Sequence, residues 1–131
     1  MLVVDASFAV PASGVEDGFA VLRDDDLYAP PLMWSEARSA LHELAWRGQI
    51  PTEDARDALG RLERCPVKAT AHRDLGETAW QIADELGSAK LYDAEYLALA
   101  RLLGCRVVTL DGRLVRGAGR LGLVVTPSEL T

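Results

Sequence analysis

The fold is decided by residues 92–111, YDAEYLALARLLGCRVVTLD. Residues 92–103 are predicted to form a helix that is apolar on more than one face, and Gly104 is predicted to end it. Residues 106–110 are a short apolar run of strand length, and Asp111 follows them directly. A helix buried on several sides, followed at once by a buried strand, is typical of a parallel sheet that is covered by helices.

The same alternation extends on both sides of this stretch. Further strands are predicted at 2–4, 27–29, 66–70 and 123–125, and further helices at 15–22, from Ser35 to Gly48, after Thr52 and at 75–86. This order predicts an α/β fold with a mostly parallel sheet and helices on both faces. Residues 1–131 are expected to form a single domain, because no stretch of the chain has the composition of a linker.

Four acidic residues, Asp5, Glu36, Asp93 and Asp111, stand after predicted strands or near the starts of predicted helices. Asp5 and Asp111 follow apolar strands, at the carboxyl edge where open parallel sheets bind their ligands. Glu36 and Asp93, taken singly, could each simply interact with a helix dipole. Because a carboxylate near a core is costly without a cation, the set indicates a shared Mg²⁺ or Mn²⁺, ions that prefer carboxylate oxygens.

Two hydroxyl side chains flank the strand-end aspartates, Ser7 two residues after Asp5 and Thr109 two residues before Asp111. A hydroxyl at such a place can orient a carboxylate or hold a metal-bound water. A serine that caps a helix and a threonine that favours a strand are equally open alternatives.

The net charge of −6 argues against a nucleic-acid ligand, but the charge is unevenly distributed. Residues 1–86 carry 8 basic and 16 acidic side chains, whereas residues 87–131 carry 6 basic and 4 acidic ones. Lys90, Arg113 and Arg116 are candidates for phosphate contacts, with simple surface solvation as the alternative. No signal sequence or membrane-spanning stretch is apparent, so a soluble, cytoplasmic protein is expected.

Together these residues resemble the PIN-domain ribonucleases, and among them the VapC toxins of bacterial toxin–antitoxin pairs. The resemblance runs over the whole chain and lies in Glu36 and in the segments Val4-Asp5-Ala6-Ser7, YDAEYLALA (92–100), Thr109-Leu110-Asp111-Gly112-Arg113-Leu114 and 124–130. YDAEYLALA is its most specific part.

The resemblance implies a three-layer α/β/α fold whose five-stranded sheet has the order 3-2-1-4-5. It also implies that Asp5, Glu36, Asp93 and Asp111 hold Mg²⁺ or Mn²⁺ and that the protein cleaves RNA endonucleolytically. Many relatives have a Lys-Trp pair where this chain has Pro11-Ala12, so the first helix is expected to begin later here. Some relatives carry a further acid where this chain has Arg113.

The resemblance further implies a homodimer that is inhibited by a small VapB-like antitoxin with a basic, partly disordered tail. A candidate partner surface lies on and beside the predicted second and third helices. Its residues are Trp34, Leu41, Leu44, Trp46, Leu59 and Leu62, with packing in the monomer core as the alternative, favoured for Leu41 and Leu44.

Two other functions stay open. A PIN-like protein that only binds a partner would not need the four acids. A phosphoaspartyl-type phosphohydrolase usually carries a second aspartate two residues after the first, where this chain has Ser7.

Overall fold

The computed structural model describes residues 1–88 and 90–130. In this part of the chain, five strands form one sheet in the order β3-β2-β1-β4-β5, and every neighbouring pair is parallel. The strands are β1 (Leu2–Val4), β2 (Leu27–Ala29), β3 (Val67–Ala69), β4 (Arg106–Val108) and β5 (Val124–Val125). The α-helices are α1 (Ala6–Ser13), α2 (Leu32–Trp46), α3 (Thr52–Glu63), α4 (Leu75–Leu86), α5 (Tyr92–Leu103) and α6 (Gly112–Ala118). The predicted strand order 3-2-1-4-5 is confirmed.

The core is centred on β1, β4 and α5. The valines of the two central strands are fully buried, as are residues 97–100 of α5. Helix α5 packs on both central strands and on α4, while α1, α2 and α3 pack against one another. These two groups of helices flank the sheet, and the predicted three-layer α/β architecture is confirmed.

The bounds of α4 and α5 are those predicted from the apolar periodicity. Each helix ends at a glycine in the left-handed conformation, with φ of +67° at Gly87 and +71° at Gly104. A residue with a Cβ is strained at such an angle, so these glycines are strong stop signals.

The prediction for the first helix is wrong. Helix α1 begins at Ala6, directly after β1, with Asp5 as its N-cap and Pro11 inside it. The predicted helix at 15–22 is instead a series of turns that ends in a 3-10 helix at Ala20–Leu22. Val15 and Val21 are exposed, so the apolar residues here do not form the buried face of a helix, and the backbone at Gly18 comes so close to Ala12 that a Cβ on Gly18 would lie 1.9 Å from the Ala12 carbonyl oxygen.

One further prediction needs correction, and one helix was not predicted. Helix α2 begins at Leu32 rather than near Ser35, so Glu36 lies in its second turn and not its first. Helix α6 was not predicted, because its sequence is rich in glycine, a poor helix former. Asp111 caps it, and Leu114 and Ala118 bury one side of it.

Among the described residues, no helix is both long and apolar enough to cross a membrane.

Candidate active site

The register between β1 and β4 determines which side chains meet at the carboxyl edge of the sheet. Val4 pairs with Val108, so the next residues, Asp5 and Thr109, lie side by side. Asp111 is two residues further along and reaches the edge as the N-cap of α6. Asp5 and Asp111 are therefore connected through Thr109, which forms hydrogen bonds to both residues.

Asp5 is buried, with 5% of its surface exposed, and both of its carboxyl oxygens accept hydrogen bonds. The Ser7 hydroxyl donates to Oδ1 at 2.7 Å, and the Phe8 amide donates to the same oxygen at 3.2 Å. The Thr109 hydroxyl donates to Oδ2 at 2.5 Å. Ser7 and Thr109 thus fix the plane of this carboxylate, which is one of the two roles considered for them.

The same hydroxyls also hold the loop after β4. The Ser7 oxygen accepts from the Leu110 amide at 2.9 Å, and the Thr109 oxygen accepts from the Asp111 amide at 3.0 Å. The loop that carries Asp111 is therefore tied to the carboxylate of Asp5 through two side-chain oxygens.

Three aspartates interact electrostatically across this edge. Burial raises the pKa of Asp5, against the hydrogen bonds from Thr109, Ser7 and Phe8, and the charge of Asp111 raises it further. Partial burial raises the pKa of Asp93, and the charge of Asp111 raises it further. Asp111 thus repels both of the other carboxylates, which a cation at this edge would relieve.

Arg113 brings a compensating positive charge to this edge. Its guanidinium lies 3.6 Å from Asp111 Oδ2, and its amide donates to Asp111 Oδ1 at 2.9 Å. The charge of Arg113 also offsets part of the rise in the pKa of Asp93. Since its side chain is 84% exposed, this ion pair is weak and can open readily.

Glu36 joins the site from α2 through an aromatic side chain that sequence reasoning missed. The Tyr96 hydroxyl donates to Glu36 Oε1 at 2.5 Å, while the Tyr96 ring is buried in the core. Glu95 was missed as well: burial raises its carboxyl pKa and the charge of Glu36 raises it further. A hydroxyl in the middle of an apolar helix is a signal that could have identified Tyr96, since a buried tyrosine hydroxyl usually needs a partner.

A divalent cation fits these residues in chemistry and charge. Asp5, Asp93 and Asp111 supply hard oxygen donors that repel one another at a sheet edge. Within residues 1–88 and 90–130, however, no three acidic, histidine or cysteine side chains surround a common point. The carboxylates therefore lie along the sheet edge without converging on one point. Asp5 is held by two hydroxyls, and Asp111 is held as the N-cap of α6.

The three predicted phosphate-binding residues have different surroundings. Lys90 and Arg116 are exposed, and Arg116 folds over the start of α6, where a Cβ on Gly112 would meet its guanidinium at 2.9 Å. Arg113 points instead toward Asp111. Asp93 and Arg113 also line one small surface cavity of about 210 Å³, which therefore has both a carboxylate and a guanidinium in its wall.

Only some residues of the candidate partner surface are accessible to solvent. Leu41 and Leu62 are buried in the core, so for these two the alternative was correct, whereas Leu44, Leu59 and Trp34 are partly buried. Trp46 is 82% exposed and stacks on His42, with ring centroids 6.1 Å apart. These two rings line a groove of about 520 Å³ between α2 and α3, together with Arg38, Leu41, Ala45, Thr52, Ala55, Arg56 and Leu59.

Curated proteins that resemble the chain are ribonucleases by name. VapC ribonuclease Mb0985 of Mycobacterium bovis and ribonuclease VapC9 of Mycobacterium tuberculosis are each 38% identical to it over 130 residues, covering 97% of this chain and 99% of the relative. Ribonuclease VapC1 of Mycobacterium tuberculosis is 32% identical over 123 residues, covering 89% of this chain and 90% of the relative.

A solved structure and a family model agree with these relatives. The crystal structure of PAE2754 from Pyrobaculum aerophilum superposes with a TM-score of 0.78 at 25% identity, covering 98% of this chain and 90% of that one. The family model described as PIN domain matches residues 2–120. The chain therefore belongs to the PIN-domain family.

Proposed function

We propose that this protein is a Mg²⁺- or Mn²⁺-dependent endoribonuclease, the toxin of a VapBC-type toxin–antitoxin pair. The observation that supports this most is the buried Asp5 carboxylate, held by two hydroxyls beside Asp111 at the junction of the two central strands. PIN-domain ribonucleases generally depend on divalent metal ions, and the relatives named above are VapC ribonucleases. We also propose that residues 1–131 form one such domain.

Each acidic residue has its own part in the proposed reaction. Asp5, already oriented, would be the fixed ligand, and Asp93 and Asp111 would complete the site from α5 and the start of α6. Glu36 would act directly or through a water. When bound, the ion would supply an activated water for in-line attack on a phosphodiester and would neutralise the charge that develops on the phosphate.

The proposal is tested with the purified protein and structured cellular RNA. After EDTA treatment, cleavage should stop, and it should return when Mg²⁺ or Mn²⁺ is added in excess. Sequencing the new 5′ ends would then identify the bond that is cut. RNA that stays intact in both metals, with a folded protein, would favour a PIN-like protein that only binds a partner.

The basic residues at the acidic edge are expected to contact RNA phosphates. Replacing Lys90, Arg113 and Arg116 together by alanine should weaken RNA binding and lower the slope of log K against log salt concentration by about 2, since each contact with single-stranded RNA contributes about 0.7. The measurement is fluorescence anisotropy with an uncleaved RNA at several salt concentrations.

The matched control for this variant is Arg23→Ala, which removes an exposed charge before β2, at the opposite end of the sheet. Its salt slope should equal that of the wild type. If the triple variant also keeps the wild-type slope, these three residues do not contact the RNA backbone.

We further propose a homodimer that is inhibited by a small antitoxin. Trp46 is an exposed aromatic side chain on a groove that also contains Leu59 and two arginines, which is a typical composition for the centre of a protein interface. The antitoxin would cover this groove, and its basic tail would reach the acidic edge. There a lysine or arginine would pair with the carboxylates and exclude the metal ion.

Light scattering should show a dimer, and co-expression with the adjacent gene should yield a stable complex. Trp46→Ala should weaken that complex by roughly 30-fold, as expected for the loss of an interface tryptophan worth about 2 kcal/mol. Trp80→Ala, which removes a 62%-exposed tryptophan from α4, is the control and should leave antitoxin affinity unchanged. A strict monomer that co-purifies with no small protein would contradict both parts of the proposal.

A further inference from the structure

Tyr96 connects two of the elements that carry the acidic residues. Its hydroxyl donates a 2.5 Å hydrogen bond to Glu36 Oε1, across 60 positions of sequence. Glu36 belongs to α2 and Tyr96 to α5, and α2 packs mainly against α1 and α3. This hydrogen bond therefore links the helix of Glu36 to the helix of Asp93.

The two partners differ in their freedom of movement. Tyr96 is 2% exposed and lies in a helix that packs on β1, β4 and α4, so the core fixes its ring. It follows Asp93 by three residues, which places both on the same side of α5. Glu36 is only half-buried and has a long side chain with several rotamers. The rigid partner thus determines the position of the mobile one.

The Tyr96 hydroxyl is the partner that the structure gives the Glu36 carboxylate. No lysine or arginine in the described residues forms an ion pair with Glu36. Glu36 also lines a surface groove of about 380 Å³ with Ser35, Ser39 and Glu43, so water is available to it on that side. Without the hydroxyl, the carboxylate would turn toward this groove.

We propose that Tyr96 is a positioning residue whose hydroxyl fixes the Glu36 carboxylate at the acidic edge, where Glu36 supports divalent-metal binding. Tyr96 does not touch the metal or the RNA in this role and acts only through Glu36. The inference rests on the proposed ribonuclease function, and the test below separates the two.

The test is the Mn²⁺ dissociation constant, measured by electron paramagnetic resonance without RNA. Tyr96→Phe keeps the ring and removes only the hydroxyl, and it should weaken Mn²⁺ binding by about 10-fold, the smaller effect usual for partners that orient a ligand. In RNA cleavage it should lower kcat at limiting Mn²⁺, regain most of the wild-type kcat as Mn²⁺ approaches saturation, and leave KM for RNA unchanged. Tyr28→Phe, which removes a hydroxyl from β2 outside the acidic edge, should match the wild type in both measurements.

A double-mutant cycle separates positioning from a general effect on the core. In a Glu36→Ala background, Tyr96→Phe should cause no further loss of Mn²⁺ affinity, because the hydroxyl has nothing left to position. A second 10-fold loss in that background would overturn the inference. Glu36→Asp gives an independent test that leaves the core untouched: it keeps the charge but withdraws the carboxylate from Tyr96, and its Mn²⁺ affinity should fall about as far.

The outcomes distinguish the inference from the proposed function. If the wild type binds Mn²⁺ and both Tyr96→Phe and Glu36→Asp bind it equally well, the inference is overturned while the proposed function stands. If the folded wild type binds no Mn²⁺ at all, the proposed function is overturned, and the inference with it.

Discussion

Asp5→Asn should reduce RNA cleavage in Mg²⁺ by roughly a thousandfold, because metal-derived stabilisation of the transition state is worth several kcal/mol and about 1.4 kcal/mol corresponds to each factor of ten. Both carboxyl oxygens of Asp5 are fixed by hydroxyl donors, which holds for no other acid of this site within the described residues. An amide keeps the shape of the side chain but cannot match the charge of a carboxylate toward a metal ion. The measurement is the single-turnover rate with purified variant and wild type.

The same variant should fold normally, which makes the loss of activity interpretable. Asparagine caps a helix about as well as aspartate, so the start of α1 should be preserved. If the variant cleaves RNA as fast as the wild type, Asp5 is not part of the catalytic site.

The stability of Asp5→Asn should also depend on pH in a defined direction. Burial raises the pKa of Asp5 in the folded protein, so this group stabilises the metal-free wild type at low pH, and the stabilisation is lost as pH rises through the folded pKa. The variant has no such group. Its Tm in EDTA, relative to that of the wild type, should therefore increase from acidic to neutral pH, and calorimetry at matched ionic strength would measure this difference.

Thr109→Val should have the second-largest effect, because Thr109 is fully buried and its hydroxyl makes several contacts, including one of 3.1 Å with the Ser7 hydroxyl. The Thr109 hydroxyl also donates to Asp5 Oδ2 and accepts from the Asp111 amide. Valine has the same shape and leaves both groups unpaired, which should lower the free energy of unfolding by about 1–3 kcal/mol. Cleavage should fall by roughly 10- to 100-fold, since both aspartates lose their orientation.

Thr109→Ser is the matched control, because it keeps the hydroxyl and removes only a methyl group. It should retain most of the activity, and its cleavage rate should lie much closer to that of the wild type than the rate of Thr109→Val. Equal rates for the serine and valine variants would show that the hydroxyl does not orient the site. Urea unfolding of both variants in EDTA would separate the stability effect from the catalytic one.

The fold was predictable where one local signal dominated. Strand β2 and helices α4 and α5 show clear apolar patterns with glycine or proline at their ends, and their bounds were predicted correctly. Helix α1 was missed because its start depends on the Asp5 cap, while the Pro11-Ala12 departure from many relatives suggested a later start. The apolar residues at 15–22 suggested a helix, but Val15 and Val21 are exposed, at 59% and 55%. The contact of Gly18 with Ala12 that shapes this segment cannot be seen in the sequence.

The site was predictable as a set of residue types at one edge of the sheet, but not in its connections. Apolar strands followed by Asp5 and Asp111 indicated the edge. The register of β1 and β4, which places Thr109 rather than Asp111 beside Asp5, depends on pairing between strands that are distant in sequence. The contact of Glu36 with Tyr96 depends on how α2 and α5 are placed in three dimensions, which no local pattern reports.

The hydrogen bond from Thr109 to Asp5 spans 104 positions of the chain, and this has a consequence for protein synthesis. Strand β1 leaves the ribosome well before its neighbour β4 has been translated. Contacts of such long range form late, after the intervening chain has been made and its ends have met. A nascent chain that stops before β4 already carries Asp5 and Glu36, yet it lacks Thr109 and Asp111. We therefore expect the growing polypeptide to lack the proposed acidic site, and so to leave RNA intact, including the message that encodes it, until β4 and the start of α6 have been made.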